Sequence, residues 1–90
     1  MSTKEKILAV LDGEMYGYQI ARAIEDRFGG RLPVGHGILY GALSNLEDAG
    51  YLTSRWEDDA IAVAERRPRR RYYQRAAVHP TASAGPEDGA

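Results

Sequence analysis

The chain has no cysteine, and only one tryptophan and one phenylalanine among its 90 residues. Without cysteine, a disulfide scaffold, a thiolate zinc site and a cysteine nucleophile are all excluded. No apolar run approaches the about 18 residues that a membrane span needs. Met1-Ser2-Thr3-Lys4-Glu5-Lys6 precedes only a handful of apolar residues and lacks the hydrophobic region of a secretory signal. A cytoplasmic protein is the expectation. His36 and His79 have no carboxylate cluster at metal spacing, so no metal site is expected. There is no nucleophile–base pair and no phosphate-cradling glycine loop, so neither an enzyme nor a cofactor is expected.

What is present is a soluble composition, 43% apolar and 28% charged, long enough for a single domain. The net charge of −1 conceals a split. Residues 1–60 carry 6 basic and 10 acidic side chains, whereas residues 61–76 carry 6 arginines and one glutamate. The excess positive charge sits in Arg66-Arg67-Pro68-Arg69-Arg70-Arg71. Such a concentration is the footprint of a polyanion binder, with a solvated linker or a plain surface patch as the alternative.

The hydrophobic pattern predicts three helices and then a hairpin. Ser2-Thr3-Lys4-Glu5 is a capping box, and Ile7, Leu8, Val10 and Leu11 follow it, giving a helix over about Thr3–Leu11 that Gly13 closes. Ile20, Ile24 and Phe28 recur at a spacing of four and predict a second helix over Tyr16–Phe28, ended by Gly29-Gly30. Arg31 to Gly35 is a linking turn. A third helix spans His36 to Ala49, stopped by Gly50, with Leu39, Leu43 and Leu46 as its buried stripe. Its opposite face holds Gly37, Gly41, Ser44 and Asp48, flanked by Tyr40 and Asn45. Tyr51–Glu57 reads as a strand with Leu52 and Trp56 on one face and Thr53, Arg55 and Glu57 on the other, Trp56 being a core residue. Asp58–Pro68 reads as a loop, and Arg69–Gln74 as the return strand.

That order is an α+β winged helix-turn-helix: three helices followed by a two-stranded antiparallel wing. Residues 1–76 form this domain and 77–90 a disordered tail. In this architecture the third helix enters the major groove of duplex DNA and the wing meets neighbouring phosphates. The arginine run then falls where phosphate contacts are needed.

Three stretches resemble the PadR family of bacterial transcriptional regulators. They are Tyr16-Gly17-Tyr18-Gln19-Ile20, the segment Gly37 to Leu52, and Arg67-Pro68-Arg69-Arg70-Arg71-Tyr72-Tyr73. Together they cover about residues 5–75. The resemblance implies a winged-helix DNA-binding regulator, a repressor. Gly35, His36 and Ile38 stand where the family usually has Ser, Pro and Thr, and Gly41 replaces a common Pro, which bears on the operator sequence and affinity. The family's long C-terminal dimerisation helix is not visible here, which leaves a homodimer open and the inducer unassigned.

The residues expected to touch double-stranded DNA are Tyr18, His36, Gly37, Tyr40, Gly41, Ser44, Asn45, Arg67, Arg69 and Arg70. Arg67, Arg69 and Arg70 would neutralise phosphates, with Arg69 and Arg71 pointing opposite to Arg70; Arg71 pairs alternatively with Glu57. Tyr40 would donate to a phosphate or sugar, or pack half-buried. Ser44 and Asn45 would read bases, Asn being suited to adenine, or simply face water. His36 would meet a phosphate from the helix start, or is a polar surface residue. Gly37 and Gly41 would allow close backbone approach, or are tolerated composition. Tyr18 would touch phosphate beside the amides of the second helix, or pack against Trp56 or Tyr73. The competing function is a winged-helix protein-interaction module with weak or no DNA binding, favoured by the acidic first 60 residues.

Overall fold

Ser2 starts the first helix because its hydroxyl accepts from the Glu5 amide at 3.1 Å, while the Glu5 carboxylate accepts from the Ser2 amide at 2.8 Å. The bond from the Ser2 amide, helped by the Ser2 side chain, holds the Glu5 carboxyl below the usual carboxylate range. The computed structural model describes residues 1–29 and 36–77, and of His36 the backbone alone. The linking turn over 31–35, the His36 side chain and the tail from residue 78 lie outside the described residues.

The elements run α1 (Thr3–Val10), β1 (Met15–Tyr16), α2 (Gly17–Phe28), α3 (His36–Asp48), β2 (Leu52–Trp56), α4 (Asp59–Glu65) and β3 (Arg71–Arg75). The three long helices match the periodicity in the sequence to within a residue or two. Gly50, at φ 89°, ends α3, and the Tyr51 amide donates to the Leu46 carbonyl at 2.9 Å, a Schellman-type closure. A side chain there would be strained.

The core lies where α1, α2 and α3 meet one face of the sheet. Ile7, Leu11, Ile20, Ile24, Leu39, Leu43, Leu46, Leu52 and Tyr73 are buried in it. Two arginines latch the end of α1: Arg27 Nη1 donates to the Ala9 carbonyl at 2.9 Å, and Arg75 Nη2 donates to the Leu8 carbonyl. They occupy acceptors that a helix end leaves without intrahelical partners.

The sheet corrects the two-stranded expectation. It has three antiparallel strands in the order β1-β3-β2. Met15 and Tyr16 pair with Tyr73 and Tyr72, and Leu52 to Trp56 pair with Arg75 to Arg71. A strand of two residues is too short to show alternation, so periodicity could not reveal it. The return strand also begins later than expected, at Arg71 rather than Arg69.

The expected loop over Asp58–Pro68 contains α4 instead. Asp58 Oδ1 accepts from the Ala60 amide at 3.0 Å, and the alanine-rich stretch that follows has high intrinsic helix propensity. Only Ala62 of this helix is buried, so it carries no apolar stripe for a pattern search to find. Arg66 closes it in the left-handed conformation, φ 58° and ψ 48°.

Truncating Leu43, fully buried at the helix–sheet junction, to Ala is expected to lower unfolding free energy by about 2–5 kcal/mol in urea titrations. Val63→Ser on the outer face of α4 should stay within about 0.5 kcal/mol of the parent.

Candidate nucleic-acid interface

The solvent face of α3 is built by subtraction. With Leu39, Leu43 and Leu46 committed to the core, Gly37, Tyr40, Gly41, Ser44 and Asn45 are left exposed. Nothing lies within 4 Å of where a Cβ would stand at Gly37 or Gly41, so the helix backbone there is bare. Ile38, which was not among the expected site residues, is exposed on the same helix. Helix α3 begins at His36, as expected.

Tyr40 leans from α3 onto the start of α2. A Cβ on Gly17 would run into its hydroxyl and its ring, so glycine at 17 makes room for Tyr40. On the first turn of α2, Tyr18 is 60% exposed, which corrects the alternative that it packs against Trp56 or Tyr73. Its ring stacks beside Tyr16, 6.4 Å between centroids, and its hydroxyl accepts from Arg22 Nη1 at 3.1 Å.

The wing arginines divide as the strand alternation predicts. Arg69 and Arg71 both lie over the Trp56 indole, each 4.9 Å from its centroid, while Arg70 lies over Tyr16 at 4.1 Å. Arg69 also pairs with Asp59 at 3.0 Å, and Arg71 approaches Glu47 at 3.9 Å. Among the described residues the Arg70 guanidinium makes no ion pair, although its charge adds to the lowering of the Glu57 carboxyl. The Arg69–Asp59 pair is exposed, and the Arg71–Glu47 pair is half-buried but long, so both contribute little to stability.

Three sequence expectations fail here, two of them because of the extra helix. Trp56 is not core: it shares a face with Leu52 but is 51% exposed, because the strand outruns the helices that cover its inner side. Glu57, expected on the outer face, is only 5% exposed. Arg67 leaves the set of phosphate contacts. Its Nη1 and Nη2 donate to the two carboxylate oxygens of Glu57 at 2.7 and 2.8 Å, and its Nε donates to Glu65 at 2.8 Å. Glu57 Oε1 accepts in addition from the Arg70 amide at 3.2 Å, and the Glu57 amide donates to the Arg70 carbonyl at 2.8 Å. The alternative pairing of Glu57 with Arg71 is likewise replaced by Arg67. Hydrogen bonds from Arg67 hold the Glu57 carboxyl down to about 2, and the same pair pushes the Arg67 guanidinium upward.

A second bidentate pair sits on the outer face of the sheet. Arg55 donates to Glu14 at 2.7 and 2.8 Å and covers Tyr72, which meets Tyr16 edge-on. The bond from Arg55 lowers the Glu14 carboxyl. Among the described residues no group of three or more His, Cys, Asp or Glu could hold a metal, and no helix is long and apolar enough to cross a membrane.

The exposed face of α3, with its glycines and short polar groups beside Ile38 and Tyr40, lies next to a cationic wing. The model of the transcriptional regulator PadR-like family matches residues 7–76. The chain belongs to this family. Its members are transcriptional regulators and not normally enzymes. Among solved structures, a transcriptional regulator from Clostridium thermocellum matches at 24% identity and a TM-score of 0.61, over 83% of this chain and 67% of that one. The circadian clock associated protein Pex from Anabaena matches at 27% identity and a TM-score of 0.60, over 86% and 66%. Pex from Synechococcus matches at 23% identity and a TM-score of 0.61, over 88% and 70%. The chain thus spans about two thirds of the length of these solved structures. No curated protein matches it.

Because the folded carboxyl of Glu57 titrates below its unfolded value, its stabilising effect is present above the unfolded pKa of about 4.3 and is lost as pH falls through about 2. Glu57→Gln should therefore lower stability at neutral pH and flatten the loss between about pH 5 and pH 2 in urea melts. Parallel curves for the two proteins would show that the ion pair contributes nothing net.

Proposed function

We propose that this PadR-like domain is a sequence-specific double-stranded DNA-binding regulator, acting as a repressor. Helix α3 enters the major groove, and the wing grips phosphates with Arg69 and Arg70. The observation that carries this reading is the pairing of α3's exposed face, bare at Gly37 and Gly41, with an arginine whose guanidinium makes no ion pair among the described residues. Ser44 and Asn45 read base edges, Asn45 being suited to the N6/N7 edge of adenine. Gly37 and Gly41 let the helix backbone approach closely, and Tyr18 and Tyr40 contact the sugar-phosphate chain. His36, at the helix start, adds a further phosphate contact.

Arg67 acts one step back, by fixing the backbone of Arg70 through Glu57. The second reading is a protein-docking module, favoured by Ile61 and Val63, which stand exposed on α4.

Binding to duplex fragments at a series of salt concentrations separates the two. The DNA reading requires log affinity to fall by about 0.9 per phosphate contact for each log unit of salt. Arg70→Ala should weaken all sequences alike and reduce that slope by about 1, whereas Asn45→Ala should change sequence preference more than overall affinity. Binding that is absent, or flat with salt, selects the docking module.

A further inference from the structure

Gly17 opens α2, yet its backbone does not call for glycine. Among the described residues the glycines with positive φ are Gly13, Gly29 and Gly50, and Gly17 is an ordinary helical residue. Alanine in its place would favour the helix. What excludes a side chain is the neighbour. A Cβ at 17 would stand 2.7 Å from Cζ and 3.1 Å from Cε1 of Tyr40, and closer still to the hydroxyl oxygen. The polar end of the Tyr40 phenol therefore lies on bare α2 backbone, an approach that glycine alone allows. Tyr40 itself lies outside the buried core and is 43% exposed. Two openings border its ring: one of about 330 Å³ shared with Tyr16, Gly17 and Tyr73, and one of about 110 Å³ shared with Gly17, Tyr18, Ala21 and Leu39. A ring so placed has room to swing, so one methyl group at 17 shifts it without unpacking the core.

We infer that Gly17 is a positioning residue for the DNA contact: it acts through Tyr40, by leaving the space in which the phenol is seated between α3 and the first turn of α2. The inference rests on the DNA-binding reading, in which Tyr40 donates to the sugar-phosphate chain. A hydroxyl that must meet an oxygen at hydrogen-bond distance and angle tolerates little displacement. A methyl group at 17 forces that hydroxyl off its seat. The tip of an exposed side chain moves more cheaply than backbone, so the fold survives the change and the contact does not. Gly17 is buried, so it influences DNA through its neighbour and not by touching it.

The test is a double-mutant cycle on the full chain, in which Gly17→Ala, Tyr40→Ala and the pair are each titrated against genomic duplex fragments and melted. Gly17→Ala is expected to weaken duplex binding about 10- to 100-fold, the worth of one hydrogen bond to a charged group, with a melting temperature close to that of the parent. Tyr40→Ala should weaken binding at least as much. In the Tyr40→Ala background the change at 17 should cost nothing further, because no ring is left to displace. Equal losses at 17 in both backgrounds, or unchanged binding by Gly17→Ala, overturn the inference and leave the DNA reading intact. A parent chain that binds no duplex sinks the DNA reading and the inference with it. If Gly17→Ala fails to fold, the double variant, in which the clash is gone, decides the matter: it must bind as Tyr40→Ala alone does, and any further loss overturns the role assigned to Gly17.

Discussion

The carboxylate of Glu57 is the hinge pin of the wing. Placed one residue beyond β2 and almost entirely withdrawn from water, it would be a costly charge if left alone. Arg67 covers both of its oxygens, and the backbone of Arg70 bonds to it from the other side. One ion pair therefore ties the end of α4 to β2 and fixes the start of the return strand. The direction in which Arg69, Arg70 and Arg71 leave the backbone follows from that knot. A pair of this kind is better understood as a device for specifying one conformation than as a source of net stability, since its desolvation offsets much of its attraction.

Charge is distributed to match. Several acids of residues 1–60 are engaged locally, Glu14 by Arg55, Glu57 by Arg67, and Glu47 by the Ser54 hydroxyl at 2.6 Å with Arg71 nearby, while Asp48 stands exposed on α3 itself. A nearly neutral chain can therefore still present a cationic edge. For a polyanionic partner it is this local edge, and not the net charge, that sets the contact.

The helices were legible in the sequence because each buries a stripe of branched aliphatic residues at helical spacing and is bounded by a cap or a glycine. So was the opposite aim of Arg70 from Arg69 and Arg71, because the alternation extends past the end of the strand. Helix α4 was not legible. It buries a single alanine, so its signal is the Asp58 cap and propensity, not periodicity. Missing α4 misplaced its neighbours. With a loop in its place, Glu57 has no reason to be covered and Arg67 none to turn inward; Trp56 stands exposed for a separate reason, because the core ends before it. Strand β1 was missed because register between distant segments leaves no mark on two residues.

Strand β1 has a mechanical consequence. Tyr16 is at once the last residue of that strand, paired with Tyr72, and the residue from which α2 springs, its amide held by the Gln19 side chain at 3.1 Å. No slack separates the two. The β1 edge of the sheet and the first turn of α2 are therefore set by one and the same residue, and neither can be placed without placing the other.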